Sequence, residues 1–117
     1  LGDSVTGLID FYFACTDLRL YDLAIMHSAW CFDADGHDCS PAVGAALLDG
    51  YADSFGLDAH DRAQLRVLAM GACVRFALTR GWDWLNTPAD ALVTRKDPLA
   101  YTRRLAFYRD HGTDIFA

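Results

Sequence analysis

Two aspartates near the start of the chain have residue types and a spacing that could serve catalysis. Asp10 lies between Ile9 and Phe11, in a segment rich in β-branched and aromatic residues that predicts a strand ending near Asp10. A lone carboxylate buried at such a position is costly unless it is paired, hydrogen-bonded or bound to a cation. The residues alone leave three interpretations open: a solvated strand end, a paired core aspartate or a metal ligand.

The second aspartate, Asp22, stands in the sequence Tyr-Asp-Leu-Ala, where an apolar helix is predicted to begin. A carboxylate in the first helical turn can accept hydrogen bonds from free backbone N–H groups and complements the helix dipole. Either aspartate alone is a weak signal. A strand-end aspartate followed by a helix-start aspartate is a stronger one.

Other patterns that could bind metals are less persuasive. The stretch Asp-Ala-Asp-Gly-His-Asp begins at Asp33 and resembles a calcium loop, but an EF-hand needs glycine at its sixth position and glutamate at its twelfth. Here Gly36 is fourth and Gly44 is twelfth. A zinc site is also disfavoured, because no usual motif and no fourth ligand accompany the nearby candidates, which are Cys31, His37 and Cys39. We therefore predict a solvated interhelix loop.

Histidine and the large aromatic residues each have a structural and a functional interpretation. His27 lies on the apolar face of its predicted helix, where a hydrogen-bonded core histidine is more common than a catalytic base. The chain has no nucleophile elbow and no glycine-rich phosphate loop. Four aromatic residues could stack on a ligand, although burial in the core explains them at least as well; these are Trp82, Trp84, Tyr101 and Tyr108.

Composition excludes several classes of protein. The chain has 117 residues, of which 53% are hydrophobic, and its net charge is −6. That apolar content favours a folded domain over a disordered chain, and it suggests that some apolar surface faces a missing segment. With Lys96 as the single lysine and the arginines scattered among acids, we predict no nucleic-acid partner.

The four cysteines have irregular spacing and no CxxC pair, so we predict a reduced, cytoplasmic protein. No signal peptide and no apolar run long enough to cross a bilayer is present, which predicts no membrane partner. Because the first residue is Leu1 and not methionine, we expect the chain to be part of a longer protein.

The predicted architecture is a short N-terminal β-hairpin or strand followed by four or five helices. The turn signal Gly2-Asp3 and the β-branched and aromatic stretch 5–13 predict a hairpin turn at Asp3-Ser4 that leads into one strand ending near Asp10. Helix starts are predicted at Ser40-Pro41, Asp58 and Asp97-Pro98, where a capping residue or proline precedes an apolar period. A helix end is predicted at Gly56, a second end or a kink at Gly81 and the following stretch WDWLNTPADAL, and an irregular tail from Gly112 to Ala117.

Two apolar stripes are predicted on the helix that follows Asp58, which suggests a central helix packed from several sides. One stripe contains Leu65, Leu68, Ala72, Cys73 and Phe76, and the other contains Val67, Met70, Val74 and Leu78. The buried stripe of the last helix is predicted to contain Tyr101, Leu105 and Tyr108.

The sequence resembles the C-terminal part of bacterial homoserine kinases of the aminoglycoside-phosphotransferase-like type. The resemblance covers 5–107. Its first motif contains both aspartates and is typical of kinase-like phosphotransferases in general, and the later, tryptophan-bearing motifs narrow it to homoserine kinase. The motifs are GLIDFYFACTDLRLYDLAI, AWCFD, LTRGWDWLNTP and KDPLAYTRRL.

The resemblance implies a fold and a role for each aspartate. It makes the whole chain, 1–117, the mainly α C-terminal lobe of a protein-kinase-like fold. Asp10 corresponds to the aspartate that holds Mg²⁺ against the nucleotide phosphates, and Asp22 to the one that braces the catalytic loop. The catalytic base and the nucleotide-binding lobe are expected upstream of Leu1, so no catalytic residue is assigned here, and no nucleotide-contacting residue either.

The resemblance also implies an activity and partners. The full-length protein would use ATP and Mg²⁺ to phosphorylate L-homoserine in threonine biosynthesis, and this chain alone would be inactive. Its other partner would be the missing N-terminal part of the same protein, and self-association is expected through uncovered apolar surface. Two rival interpretations remain: a related aminoglycoside- or choline-kinase-like phosphotransferase, and a non-catalytic helical interaction module.

Overall fold

The computed structural model describes residues 3–12 and 14–117 and has four helices in chain order. They are α1 (Arg19–Trp30), α2 (Pro41–Phe55), α3 (Ala59–Asn86) and α4 (Leu99–Ile115). An antiparallel bridge, Phe32 with Cys39, closes the loop between α1 and α2. The prediction of a mainly α fold is therefore confirmed. Across the described part of the chain, no helix is long and apolar enough to cross a membrane.

The predicted N-terminal β-hairpin and strand are wrong for the residues that the structure describes. Residues 5–10 form no strand and are exposed. A strand needs a neighbour that pairs with its backbone N–H and C=O groups, and no other described segment lies beside this one to do so. Gly2, from the turn signal, and Phe13, from the β-branched and aromatic stretch, lie outside the described residues.

The predicted starts of α2 and α3 are confirmed, because each start depends on a local capping bond. The Ser40 side chain accepts a hydrogen bond from the Val43 N–H, and Pro41 occupies the first helical position. Asp58 and Asp61 form a capping box, in which each carboxylate accepts from the other residue's backbone N–H. Gly56 ends α2 with φ 73°, a left-handed conformation that favours glycine.

Helix α3 ends within the stretch from Gly81 to Leu92, where the sequence predicted an end or a kink, and it continues past Gly81 itself. It ends at Asn86, and the next residue, Thr87, is extended. Thr87 precedes Pro88, whose ring disfavours the helical conformation at the preceding residue. Near Gly81 the helix is anchored by Arg80, which donates to the Asp97 carbonyl and lies over the Tyr101 ring. These tertiary contacts offset the low helix propensity of glycine.

The core lies where α1, α3 and α4 meet. Contacts along α3 show that α4 runs antiparallel to it: Arg80 is near Asp97, and Arg66 is near Tyr108. The predicted irregular tail is wrong from Gly112 to Ile115, because α4 continues to Ile115. Gly112 allows α4 to pack closely against the Arg66 side chain of α3, since an added Cβ would be 2.7 Å from the Arg66 Cγ. Fully buried side chains of this core include Leu23, Leu65, Cys73, Tyr108 and Phe116.

Only one of the two predicted apolar stripes of α3 is packed. Leu65, Ala72 and Cys73 are buried on the first stripe. On the second stripe, Met70 is half-buried, but Val67 and Leu78 are about 70% exposed. The prediction that α3 is packed from several sides is therefore wrong for the second stripe, which α1 and α4, the helices that contact α3, leave largely exposed.

Candidate functional site

Asp10, the predicted metal ligand, lies in an exposed segment that precedes α1. Its backbone has φ 71°, the only positive φ of a described residue other than glycine. Aspartate tolerates this left-handed conformation better than most residues, at some cost in strain. Its carboxylate makes no hydrogen bond or ion pair with another described residue, so the interpretation of Asp10 as a paired core aspartate is not supported here.

The donor chemistry around Asp10 fits one ligand of a magnesium ion and no more. Mg²⁺ is commonly held by one or two carboxylates together with waters and substrate phosphates. Asp10 offers one free carboxylate of that kind. Among the described residues no group of three His, Cys, Asp or Glu side chains could hold a metal ion. A complete metal site would therefore need ligands from outside this part of the chain.

Asp22 lies in the first turn of α1 and is exposed. The helix begins after Leu18, and no side chain caps it; the Leu18 N–H instead bonds the Asp17 carboxylate at 2.7 Å. Asp22 itself accepts no hydrogen bond from a described residue, and none joins it to Asp10. The structure therefore leaves both oxygens of Asp22 free to accept bonds from another segment.

The loop between α1 and α2 uses its first aspartate to hold its own shape. The Asp33 carboxylate accepts hydrogen bonds from the backbone N–H of His37 at 2.7 Å and of Asp38 at 3.0 Å. These bonds, the Asp38 one foremost, hold the pKa of Asp33 below its usual value. Gly36 adopts φ 76°, and an added Cβ would collide with the Ala100 carbonyl of α4. The loop is thus a compact turn seated on α4.

A buried arginine, which the sequence analysis did not single out, fastens this loop to the core. Arg104 of α4 is 3% exposed and donates hydrogen bonds to the carbonyls of Ser28 and Asp33, each at 2.8 Å. Its guanidinium also lies over the Phe32 and Tyr101 rings. No carboxylate among the described residues pairs with it. A visible signal was its place within the stripe of Tyr101 and Tyr108, where a charged residue is unusual.

His27 is a core residue, as predicted, and not an exposed base. It is fully buried, and its Nδ1 lies 2.7 Å from the Tyr108 hydroxyl. Its ring packs edge-on against Phe116, and Nε2 has no hydrogen-bond partner among the described residues. Burial lowers the pKa of His27 to about 4, because an imidazolium would lose its hydration there. His27 is therefore neutral at pH 7.

We expect His27 to make the stability of this chain depend on pH. The pKa is about 4 in the folded state and about 6.5 in the unfolded chain, so the unfolded state binds the proton more tightly. Stability is then complete above pH 6.5 and falls by about 3 kcal/mol as the pH drops from 6.5 to 4. Urea unfolding across this range, compared with His27→Gln, measures the effect. A loss of equal size in both proteins would contradict it.

Two glycines of α2 should respond oppositely to alanine. At Gly44 an added Cβ would lie 2.9 Å from His27 Nε2, in a ring that Tyr108 and Phe116 hold in place, whereas at Gly50 it would meet nothing within 4 Å. We expect Gly44→Ala to lower the free energy of unfolding by about 1–2 kcal/mol. Gly50→Ala should raise it by about 0.5–1 kcal/mol. Chemical denaturation tests this, and a stabilised Gly44→Ala would refute the contact.

The four large aromatic residues separate into two groups. Tyr101 and Tyr108 are buried, as the structural interpretation predicted. Trp82 and Trp84 are exposed near the end of α3, so burial in the core does not explain them in this chain. Arg95 reaches over the Trp84 ring and donates to the Thr87 carbonyl.

A groove of about 370 Å³ lies between the first half of α3 and the end of α4. Its arginines are already engaged with the protein: Arg66 donates to the carbonyls of Tyr108 at 3.2 Å and Arg109 at 2.7 Å. These bonds satisfy carbonyls along α4, so the groove is a helix-packing feature and does not offer free cations to an anionic ligand. It is lined by Ala59, Arg62, Ala63, Arg66, Val67, Gly112, Thr113, Phe116 and Ala117.

Comparison with known proteins adds information that the geometry lacks. A sequence model of the phosphotransferase enzyme family matches residues 1–68. A homoserine kinase of Zymomonas mobilis is 55% identical over 93% of this chain, and one of Gluconacetobacter diazotrophicus is 58% identical over 93%. A homoserine kinase of Rhizobium etli is 50% identical over 97%. The chain spans about a third of the length of these relatives, 34% of the first two and 35% of the third.

Proposed function

The chain belongs to the phosphotransferase enzyme family, and from this premise we propose that it is part of a homoserine kinase. The full-length enzyme would transfer the γ-phosphoryl group of ATP to the hydroxyl of L-homoserine, which yields O-phospho-L-homoserine for threonine biosynthesis. Because ATP is an intracellular substrate, the proposal places the enzyme in the cytoplasm. The observation that carries it is the high identity to homoserine kinases, which extends over nearly the whole chain.

Within this proposal, Asp10 is a metal-binding residue. Its free carboxylate and strained backbone are features that cluster at functional sites, and they support this role. Bound Mg²⁺ would neutralise charge on the nucleotide phosphates, which phosphoryl transfer requires more than it requires covalent chemistry. Asp10 would supply one oxygen ligand, and the others would come from outside the described residues.

Asp22 is proposed as a positioning residue that accepts backbone hydrogen bonds from the catalytic loop. Its exposed, unengaged carboxylate at the start of α1 supports this role. The base that receives the proton of the homoserine hydroxyl is proposed to lie in the remaining two-thirds of the enzyme, which is the chain's partner in this scheme. The chain alone would therefore bind nucleotide weakly and would not catalyse.

An assay of the full-length protein tests the proposed activity. Purified enzyme is incubated with ATP and Mg²⁺ and with a panel of alcohols that contains L-homoserine, choline and an aminoglycoside, and ADP release is followed. We expect L-homoserine to give the highest kcat/KM. The family match is common to phosphotransferases in general. A higher kcat/KM for another alcohol would therefore contradict the assignment as a homoserine kinase and indicate a related phosphotransferase.

A further inference from the structure

One side of α3 is apolar, exposed and without a partner in the described structure. We call it the outer face; it comprises Val67, Gly71, Val74, Leu78, Trp82 and Leu85. These residues recur every three or four positions, so they form one stripe along the helix. Their large side chains are 45–83% exposed. A continuous apolar stripe of this length is unusual on the surface of a monomeric protein and marks an interaction site.

The glycines of α3 indicate how closely a partner approaches. An added Cβ at Gly71 or Gly81 would meet nothing within 4 Å, so neither glycine is required by the packing of this chain. Glycine weakens the interior of a helix, and it is used where another backbone must come near. Gly71 lies within the outer face, between Val67 and Val74. The pattern therefore fits a helix that packs closely against α3.

The charge distribution fits an apolar partner. Residues 63–82 contain no acid, although the chain has 16 acidic residues. Two of the cations in this range, Arg66 and Arg80, donate to backbone carbonyls at the other side of the helix, on α4 or just before it. The third, Arg75, lies over the Phe76 ring. The six residues of the outer face carry no charge themselves, so the complement of this face is an apolar surface.

We propose that a helix from the remaining two-thirds of the same polypeptide covers the outer face of α3. This inference rests on the proposed function, since homoserine kinases that match this chain closely are about three times as long. The part of such an enzyme beyond this chain must contact it over some surface, and the outer face carries five of the exposed large apolar side chains of the four helices. The occupant is an apolar helix with small residues opposite Gly71.

Thiol labelling of the full-length enzyme tests the proposal without any substrate. Leu78→Cys places a reporter on the outer face, and Asp53→Cys places a matched one on the exposed side of α2, both with the exposed Cys15 replaced by serine. In the monomer we expect the reporter at position 78 to react about tenfold more slowly than the one at 53, because it reacts only after local opening. Equal rates would overturn the proposal, as would protection that disappears when a dimer is diluted to monomers.

Paired glycine substitutions give a second readout. In this chain, Gly71→Ala and Gly50→Ala should both raise Tm by about 3–5 °C, because each removes an unneeded helical glycine. In the full-length enzyme we expect Gly50→Ala still to raise Tm and Gly71→Ala to lower it. A Gly71→Ala enzyme with raised Tm would overturn the proposal. Neither the labelling rates nor the Tm values depend on homoserine. A failed kinase assay would therefore contradict the proposed function without affecting the test of the outer face.

Discussion

Replacement of Asp10 by asparagine is expected to lower the turnover of the full-length enzyme by about 10³-fold, a loss of several kcal/mol of transition-state stabilisation. Asparagine keeps the shape of the side chain and tolerates the left-handed backbone at φ 71°, but it removes the charge that a hard cation needs. Stability should change by less than about 0.5 kcal/mol, because the carboxylate is exposed and unpaired among the described residues. Steady-state kinetics and thermal unfolding measure the two effects.

Asp3→Asn is the matched control for this prediction. Asp3 is also exposed and precedes α1, so its replacement changes the net charge equally. We expect Asp3→Asn to retain normal turnover. An Asp10→Asn enzyme that turns over normally at saturating Mg²⁺ would refute the metal assignment. A large loss of stability would instead indicate that Asp10 is paired with another charged group in the full-length enzyme.

Helix boundaries were predictable where they depend on neighbouring residues. Ser40-Pro41 and Asp58 begin their helices through bonds that span three residues, and the sequence displays both partners of each bond. The end of α3 was predicted only as a stretch, 81–92, because continuation of the helix past Gly81 depends on distant residues: Arg80 reaches Asp97 and Tyr101 across the bundle. Intrinsic propensity is a weak prior that such tertiary contacts override.

The N-terminal strand was not predictable from local pattern alone. Residues 5–10 have the β-branched and aromatic composition of a buried strand, yet strand formation requires a pairing partner that the described residues do not provide. The same holds for the outer face of α3, because an apolar stripe predicts burial but does not identify the segment that packs against it. In both cases the apolar pattern predicts a contact, and the described residues provide no partner for it.

Candidate ligands that stand in a recognisable motif could be predicted from the sequence, whereas a buried residue that stabilises the fold could not. Asp10 and Asp22 were identified by their order and their surroundings, and their roles stay predictions. Arg104 was not identified, because an arginine buried against carbonyls and aromatic rings carries no short motif. Its position between Tyr101 and Tyr108 was the available signal, because a charged residue within a predicted core stripe indicates buried hydrogen bonds.

Arg104→Ala should lower the free energy of unfolding by about 2–3 kcal/mol, since it removes the donor to the buried Ser28 carbonyl, one of the two donors to the Asp33 carbonyl, and packing against two rings. Arg104→Lys should be intermediate, because an ammonium cannot reproduce the planar fork that reaches both carbonyls. The loop between α1 and α2 depends on these bonds for its position on α4. Its amide protons should therefore exchange faster in both variants.

Arg103→Ala is the neighbouring control. Arg103 donates to the Asp35 carbonyl at 2.9 Å and pairs with Asp97 at 3.1 Å, but the pair is about one-third exposed. Such pairs contribute less than about 1 kcal/mol, so Arg103→Ala should be nearly neutral. Urea denaturation of the three variants ranks them. If Arg104→Ala were no less stable than Arg103→Ala, the loop would be held by its own Asp33 turn and not by the buried guanidinium.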